Sequence, residues 1–206
     1  CRNDCTGFDT SHCTDLCGNG IGEGAETCDR SDLRGLTCAR LAESFHFSSF
    51  SAAAVCPGPA CTIAINGSAG FALNGGQQGV LRLTGPALDE SGSAWYTLPQ
   101  PVGNGFRSTF QFQVTPDPKG SIPADGLAFV VQNAGLTALG ASGSGIGYST
   151  IPHSVAIEFD MFRNTGLGDP SANHVALLSC GTAPNSASHS AGPGCTSVVS
   201  GPLPVN

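Results

Sequence analysis

Residues 154–174 read SVAIEFDMFRNTGLGDPSANH, and this stretch decides the fold. It opens as a strand. Val155, Ile157, Phe159 and Met161 alternate with Ala156, Glu158, Asp160 and Phe162, which is the period of two that a pleated strand imposes. Side chains two apart on a strand share a face, about 7 Å apart along it, so Glu158 and Asp160 can converge on one ion. The loop that follows is polar and turn-rich, and it adds Asn164, Asp169 and His174. Carboxylates, an amide oxygen and an imidazole so close in sequence form a candidate metal cluster. Oxygen ligands alone suit calcium, and an imidazole among carboxylates suits a transition ion such as manganese. The same alternation also describes an ordinary strand with two acids on its solvent face.

Working outward, the 206-residue chain is acidic, with a net charge of −7 and only eight Lys plus Arg. It has no basic cluster, which excludes nucleic acid as a partner. Charged residues make up 11%, there is a single Met, and Gly (29) and Pro (14) abound; that composition predicts an all-β, loop-rich chain. No apolar run approaches the roughly 20 residues of a membrane span. Strands are expected at 62–65, 80–84, 93–97, 106–114, 126–132, 155–162 and 174–178. Glycine, proline and asparagine turns between them predict an antiparallel β-sandwich.

The ten cysteines point to an oxidising compartment. Two local pairs, Cys56 with Cys61 and Cys180 with Cys195, each flank a Gly/Pro-rich loop and are expected as disulfides. The other six lie in the first 38 residues; disulfides or a zinc site are the two readings there, although no zinc-finger spacing with paired histidines occurs. Asn66-Gly67-Ser68 is a glycosylation sequon.

The opening stretch resembles the metal-binding segment of the L-type lectins, the legume-lectin family. The residues carrying the resemblance are Val155, Ala156, Glu158, Phe159, Asp160, Phe162, Asn164, Asp169, Pro170, His174 and Val175. A second family motif stands intact as Ala124-Asp125-Gly126-Leu127-Ala128-Phe129. A glycine-rich loop ending Gly145-Ile146-Gly147-Tyr148 occupies the place of the family's second sugar-binding loop. Ser93-Ala94-Trp95-Tyr96 and Phe106-Arg107-Ser108-Thr109-Phe110 resemble two family strands. In the right order, the resemblance runs from residue 45 to residue 178.

What this implies is a concanavalin-like antiparallel β-sandwich (a jelly roll) that binds glycans, depends on metals and has no catalytic activity. By resemblance, Glu158, Asp160, Asp169 and His174 would hold Mn2+ or another transition ion. Asp160, Asn164, Asp169 and the main-chain carbonyl of Phe162 would hold Ca2+. The sugar would meet the Asp125 carboxylate, the Asn164 amide and a backbone N–H of the glycine loop, that of Gly147. Phe162 is either an aromatic face for the sugar ring or a core residue. The resemblance also implies a cis peptide between Ala124 and Asp125.

Residues 17–29, CGNGIGEGAETCD, are similar to a cysteine-rich repeat of secreted myxobacterial proteins. The expected organisation is a disulfide-rich module over 1–42 and a lectin-like domain over 43–206. So small a module depends on its disulfides; Asn19, Glu26, Asp29 and Asp32 either supply oxygens to a calcium ion or are solvated acids. The lectin-like part is short of the family's late strands, so the expectation is a fragment of a larger protein, or strands completed by another chain. A secreted or cell-surface location follows from the cysteines.

Two rival functions remain. One is a structural or adhesive surface-fibre subunit, self-associating, in which metals only rigidify the sandwich. The other is a glycoside hydrolase of the same fold, whose retaining members carry E-x-D-x-x-E with the outer glutamates as nucleophile and acid. Here Arg163 follows Glu158 and Asp160 where the second glutamate belongs, which removes the general acid. Outside the cluster, His46, His153 and His189 have no partner group in the sequence and read as surface or loop histidines.

Overall fold

Short alternating segments punctuated by glycine and proline fold into strands with almost no helix. A computed structural model of the chain describes residues 45–102, 105–116 and 123–202. These form two compact units, one of 45–48, 98–102 and 105–110, the other of 49–97, 111–116 and 123–202. In the first, the Phe45 and Phe47 rings lie 5.9 Å apart. All of the strands among the described residues belong to the second. The cysteine-rich module expected over 1–42 lies outside the described residues.

Strands β1 (Val55–Cys56), β2 (Ile63–Gly67) and β5 (Gly92–Tyr96) make one sheet, with β1 parallel and β5 antiparallel to β2. Strands β3 (Gly70–Leu73) and β4 (Gly79–Arg82) pair as an antiparallel hairpin. The largest sheet is antiparallel, in the order β6 (Gly126–Gln132), β7 (Ser154–Asp160), β8 (His174–Ser179), β9 (Thr196–Gly201). Among the described residues no helix is long and apolar enough to cross a membrane. Both local disulfides form: Cys56–Cys61 follows β1, and Cys180–Cys195 ties the end of β8 to the start of β9. The sequon asparagine is engaged inside the fold, where the Asn66 amide donates to Ser93 Oγ (3.0 Å) and to the Leu136 carbonyl (2.9 Å).

One expected strand is absent. Residues 106–114 alternate, yet they join no ladder among the described residues, and Phe106, Phe110, Phe112 and Val114 remain exposed. Alternation marks a chain ready to be a strand, but a strand needs a neighbour's backbone to complete its hydrogen bonds. The Phe112 ring packs 5.2 Å from that of Phe159.

The buried face of the large sheet runs from apolar to polar. Val130, Ala156 and Leu178 stand in register across β6, β7 and β8; next come Ala128, Glu158 and Ala176, and then Gly126, Asp160 and His174. The small side chains leave room for Tyr148, which is fully buried against Ala156, Ala176 and Leu178 with Trp95 packed on the same cluster. Burying a large side chain of this kind contributes roughly 1.5–3 kcal/mol. Gly126 has no alternative there, because a Cβ would come within 2.2 Å of the Phe159 carbonyl oxygen.

Sheet β2–β5 holds the segment that brings Tyr148 in. Ser93 Oγ and Trp95 Nε1 both donate to the Ala138 carbonyl (2.7 and 2.8 Å), and Ser91 Oγ donates to that of Gly140 (3.1 Å). At Gly140 a Cβ would lie 2.5 Å from the Ser149 carbonyl oxygen, so the loop folds back on itself only because this residue is glycine.

Candidate metal centre

Which side of β7 faces inward sets the chemistry. Glu158 and Asp160 are 1% and 3% exposed, while Val155 on the other face is 40% exposed. The strand therefore buries its acids and exposes part of its apolar row, the reverse of an ordinary amphipathic strand. Antiparallel pairing sets Asp160 directly opposite His174, so a strand, its loop and the returning strand deliver the cluster as one local unit. The loop is tied by the acids themselves. Asp160 Oδ1 accepts the Phe162 N–H (2.7 Å), Asp169 Oδ2 accepts the Asn164 N–H (2.5 Å), and Arg163 Nε donates to the Asp169 carbonyl (3.3 Å). The first of these turns β7 out of its ladder at Asp160, two residues before its expected end.

Glu158 is fixed by the Tyr148 hydroxyl, which donates to Oε2 at 2.7 Å. Its other oxygen, Oε1, is buried with no hydrogen-bond partner among the described residues, and the same is true of Asn164 Oδ1. His174 is held through Nδ1, 3.0 Å from the Ser171 carbonyl. A carbonyl only accepts, so Nδ1 carries the proton and Nε2 turns its lone pair inward, 3.3 Å from Glu158 Oε1 and 4.0 Å from Asp160 Oδ2.

His189 is a loop histidine but not a surface one, and it has partners. Its Nε2 lies 3.0 Å from that of His174, 3.2 Å from Glu158 Oε1 and 3.6 Å from Asp169 Oδ1. No local pattern in the sequence signals this, because the disulfide-closed loop between β8 and β9 carries it in. Among the described residues, those able to hold a metal form two overlapping groups, Glu158 with His174 and His189, and Asp160 with Asp169 and His174. Asn164, with its orphaned oxygen beside Asp169, completes an oxygen-rich side. This donor set fits divalent cations, since buried acceptors with no donor are costly unless a cation faces them.

Like charges crowd the cluster. Burial pushes Glu158 up to about 7, against the Tyr148 hydrogen bond and the His174 attraction, with Asp160 and Asp169 adding to the rise. Burial likewise raises Asp160 to about 6, opposed by the Phe162 N–H, and lowers His189, an effect that nearby His174 reinforces.

A pH dependence follows. An acid whose folded pKa lies above its unfolded value binds protons more tightly when folded, so metal-free stability falls as pH rises. Glu158 acts between 4.5 and about 7, Asp160 between 3.8 and about 6. Thermal unfolding of the chelated protein is expected to show a higher Tm at pH 5 than at pH 7.5. With calcium and manganese present the order should reverse, because protons compete with metal for the same oxygens.

Asp125 stands beside this cluster. The Ala124–Asp125 peptide is cis, and the Asp125 carbonyl accepts the Met161 N–H at 2.8 Å. Partial burial raises the Asp125 pKa, while the neighbouring Asn164 side chain opposes the rise. The Gly147 N–H donates to the Ala141 carbonyl at 2.9 Å, so it is engaged within the loop. The glycine that meets the Asp125 carboxylate is Gly143, where a Cβ would stand 3.7 Å from Oδ2. Phe162 is 42% exposed and so is not a core residue.

Comparison with known proteins gives concordant results. The family described as "Legume lectin domain" matches residues 42–197. Two lectin-like proteins of Arabidopsis thaliana are each 33% identical over 82 residues. Those matches cover 35% of this chain and 33% and 29% of the two relatives, so the chain spans about a third of their length.

Proposed function

This chain belongs to the legume lectin domain family, and on that premise we propose that it is a metal-dependent, non-catalytic carbohydrate-binding module of a secreted or surface protein. Its mainly antiparallel sheets are those of the concanavalin-like sandwich. One observation carries the proposal: Asn164 links the two halves of the site. Its side chain lies close enough to the Asp125 carboxyl to hold that group's pKa down, and its backbone N–H bonds Asp169 in the ion cluster.

In this reading Glu158, Asp160, Asp169 and His174 hold a transition ion. Asp160, Asn164, Asp169 and the Phe162 carbonyl hold calcium. The bound cations supply positive charge that keeps these crowded oxygens ionised. Asp125 accepts hydrogen bonds from neighbouring sugar hydroxyls, the Asn164 amide donates, and Phe162 offers its ring to the sugar's C–H face. A backbone N–H of the glycine loop, that of Gly147, completes the sugar site, and Gly143 lines the Asp125 carboxylate. Absence of a second carboxylate at Arg163 supports binding without hydrolysis. Single sites of this shallow kind bind weakly, so avidity comes from several sites acting together.

The test is a glycan array probed in calcium and manganese and again after EDTA. Binding that appears with metal and vanishes with chelation supports the proposal. A folded, metal-loaded protein that binds no glycan overturns it.

A second reading, structural assembly, is favoured by the outer face of the large sheet. Val155, Leu177 and Val198 there are 40%, 38% and 57% exposed. Sedimentation of the chain at rising concentration tests it; a strictly monomeric chain rules out assembly of the chain with itself.

A further inference from the structure

We propose that His189 is a second imidazole ligand of the transition-ion site, and that this site therefore selects zinc or cobalt over manganese. The inference rests on the metal-dependent reading above but concerns a residue outside the ligand set which that reading uses.

Three atoms carry it. His174 Nε2, His189 Nε2 and Glu158 Oε1 form a triangle with edges of 3.0, 3.2 and 3.3 Å. Two ligand atoms bonded at about 2.1 Å to one ion lie about 3.0 Å apart at right angles and about 3.4 Å apart at tetrahedral angles. All three edges fall in that interval. A proton on His189 Nε2, donated to the His174 lone pair, would account for the shortest edge but would leave Glu158 Oε1 unserved. The His174 proton sits on Nδ1, committed to the Ser171 carbonyl, and Glu158 Oε1 is buried without any hydrogen-bond donor. Acceptors turned toward one buried point are what a cation satisfies.

His189 is also held in place. Its Nδ1 lies 2.7 Å from Ser197 Oγ on β9, and its backbone N–H donates to the Leu167 carbonyl in the metal loop (2.9 Å). The disulfide Cys180–Cys195 closes the segment that bears it. Buried Asn185 pins that segment to the sheet, donating to Ser154 Oγ (3.1 Å) and the Leu178 carbonyl (3.2 Å). An imidazole fixed through its other nitrogen is oriented as metal-bound histidines are.

The chemical consequence is selectivity. Carboxylate and water ligands suit manganese, whereas imidazole suits zinc and the later transition ions, whose affinities also stand higher in the divalent series. A second nitrogen in place of an oxygen moves preference toward zinc and cobalt, and leaves the oxygen-only calcium set of Asp160, Asn164 and Asp169 untouched.

The test uses the full chain stripped of metal. Loaded with Co2+, it should show two strongly shifted, exchangeable ring N–H signals in its proton NMR spectrum, one from each Nδ1. Given equimolar Mn2+ and Zn2+ and then desalted, it should retain zinc over manganese by on the order of tenfold or more. His189→Ala should remove one of the two signals and lower the zinc-over-manganese ratio severalfold while calcium retention persists. A single shifted signal in the unsubstituted protein, or manganese retained as well as zinc, overturns the proposal and leaves the lectin reading standing. Retention of no transition ion at all overturns both.

Discussion

Asp125→Ala is expected to weaken glycan binding by at least about 100-fold while moving the Tm by no more than a few degrees. In the proposed site the Asp125 carboxylate accepts two hydrogen bonds from sugar hydroxyls. Hydrogen bonds to a charged group are worth about 1.5–3 kcal/mol each, and every 1.4 kcal/mol is tenfold in affinity. Losing both removes on the order of 10² to 10⁴ in binding, enough to take a weak site below detection. Stability should respond differently. Burial raises the Asp125 pKa, so its ionised form is disfavoured by folding and its removal relieves that cost. Asp125→Asn is the sharper variant, since it keeps the shape and one acceptor while losing the charge. Calorimetric titration with a multivalent glycan, alongside thermal unfolding, separates the two effects. A Tm drop of ten degrees or more would mean that binding was lost through unfolding. Unchanged binding would remove Asp125 from the sugar site.

Removal of the ions is the second large effect, and it should act on stability and binding together. A ligand that binds only the folded state at about 1,000 times its Kd stabilises by about 4 kcal/mol. For a domain of this size each kcal/mol is worth roughly 2–4 °C, so EDTA should lower the Tm by about 10 °C at neutral pH and abolish glycan binding. The reason lies in the centre itself. Without a cation, Glu158, Asp160 and Asp169 repel one another in a buried space, and Glu158 Oε1 and Asn164 Oδ1 face no donor. Glu158→Gln should mimic half of this. It keeps the side-chain volume and can still accept from Tyr148, but it lacks the charge a metal requires. Its Tm is expected to respond less to added transition ion than that of the unsubstituted chain, and its metal-free Tm at pH 7.5 should be higher, because a buried charge has gone. A Tm unmoved by EDTA in the unsubstituted chain would leave the cluster without a resident ion.

Much of the site was legible because it is local. Glu158, Asp160, Asn164, Asp169 and His174 lie on one strand, its loop and the returning strand, and antiparallel pairing cannot help setting Asp160 against His174. Asp125 lay in a motif whose strand, Gly126–Gln132, formed where alternation predicted it. Cysteine spacing foresaw both disulfides, since short loops bring their ends together whatever the rest of the chain does.

What the sequence by itself determined, then, is the all-β class, the segment that bears the candidate ligands and the local staples, all consequences of residue period and short separation. Tertiary structure alone decided three other things. It chose the face of β7 that is buried, because a period of two fixes alternation but not direction, and so turned Glu158 and Asp160 inward while leaving Val155 in solvent. It folded the glycine loop so that Gly143 meets Asp125 while the Gly147 N–H is used within the loop. And it carried His189 from a disulfide-closed loop to within 3.0 Å of His174, a contact set by how Asn185 docks that loop on the sheet and by no pattern along the chain.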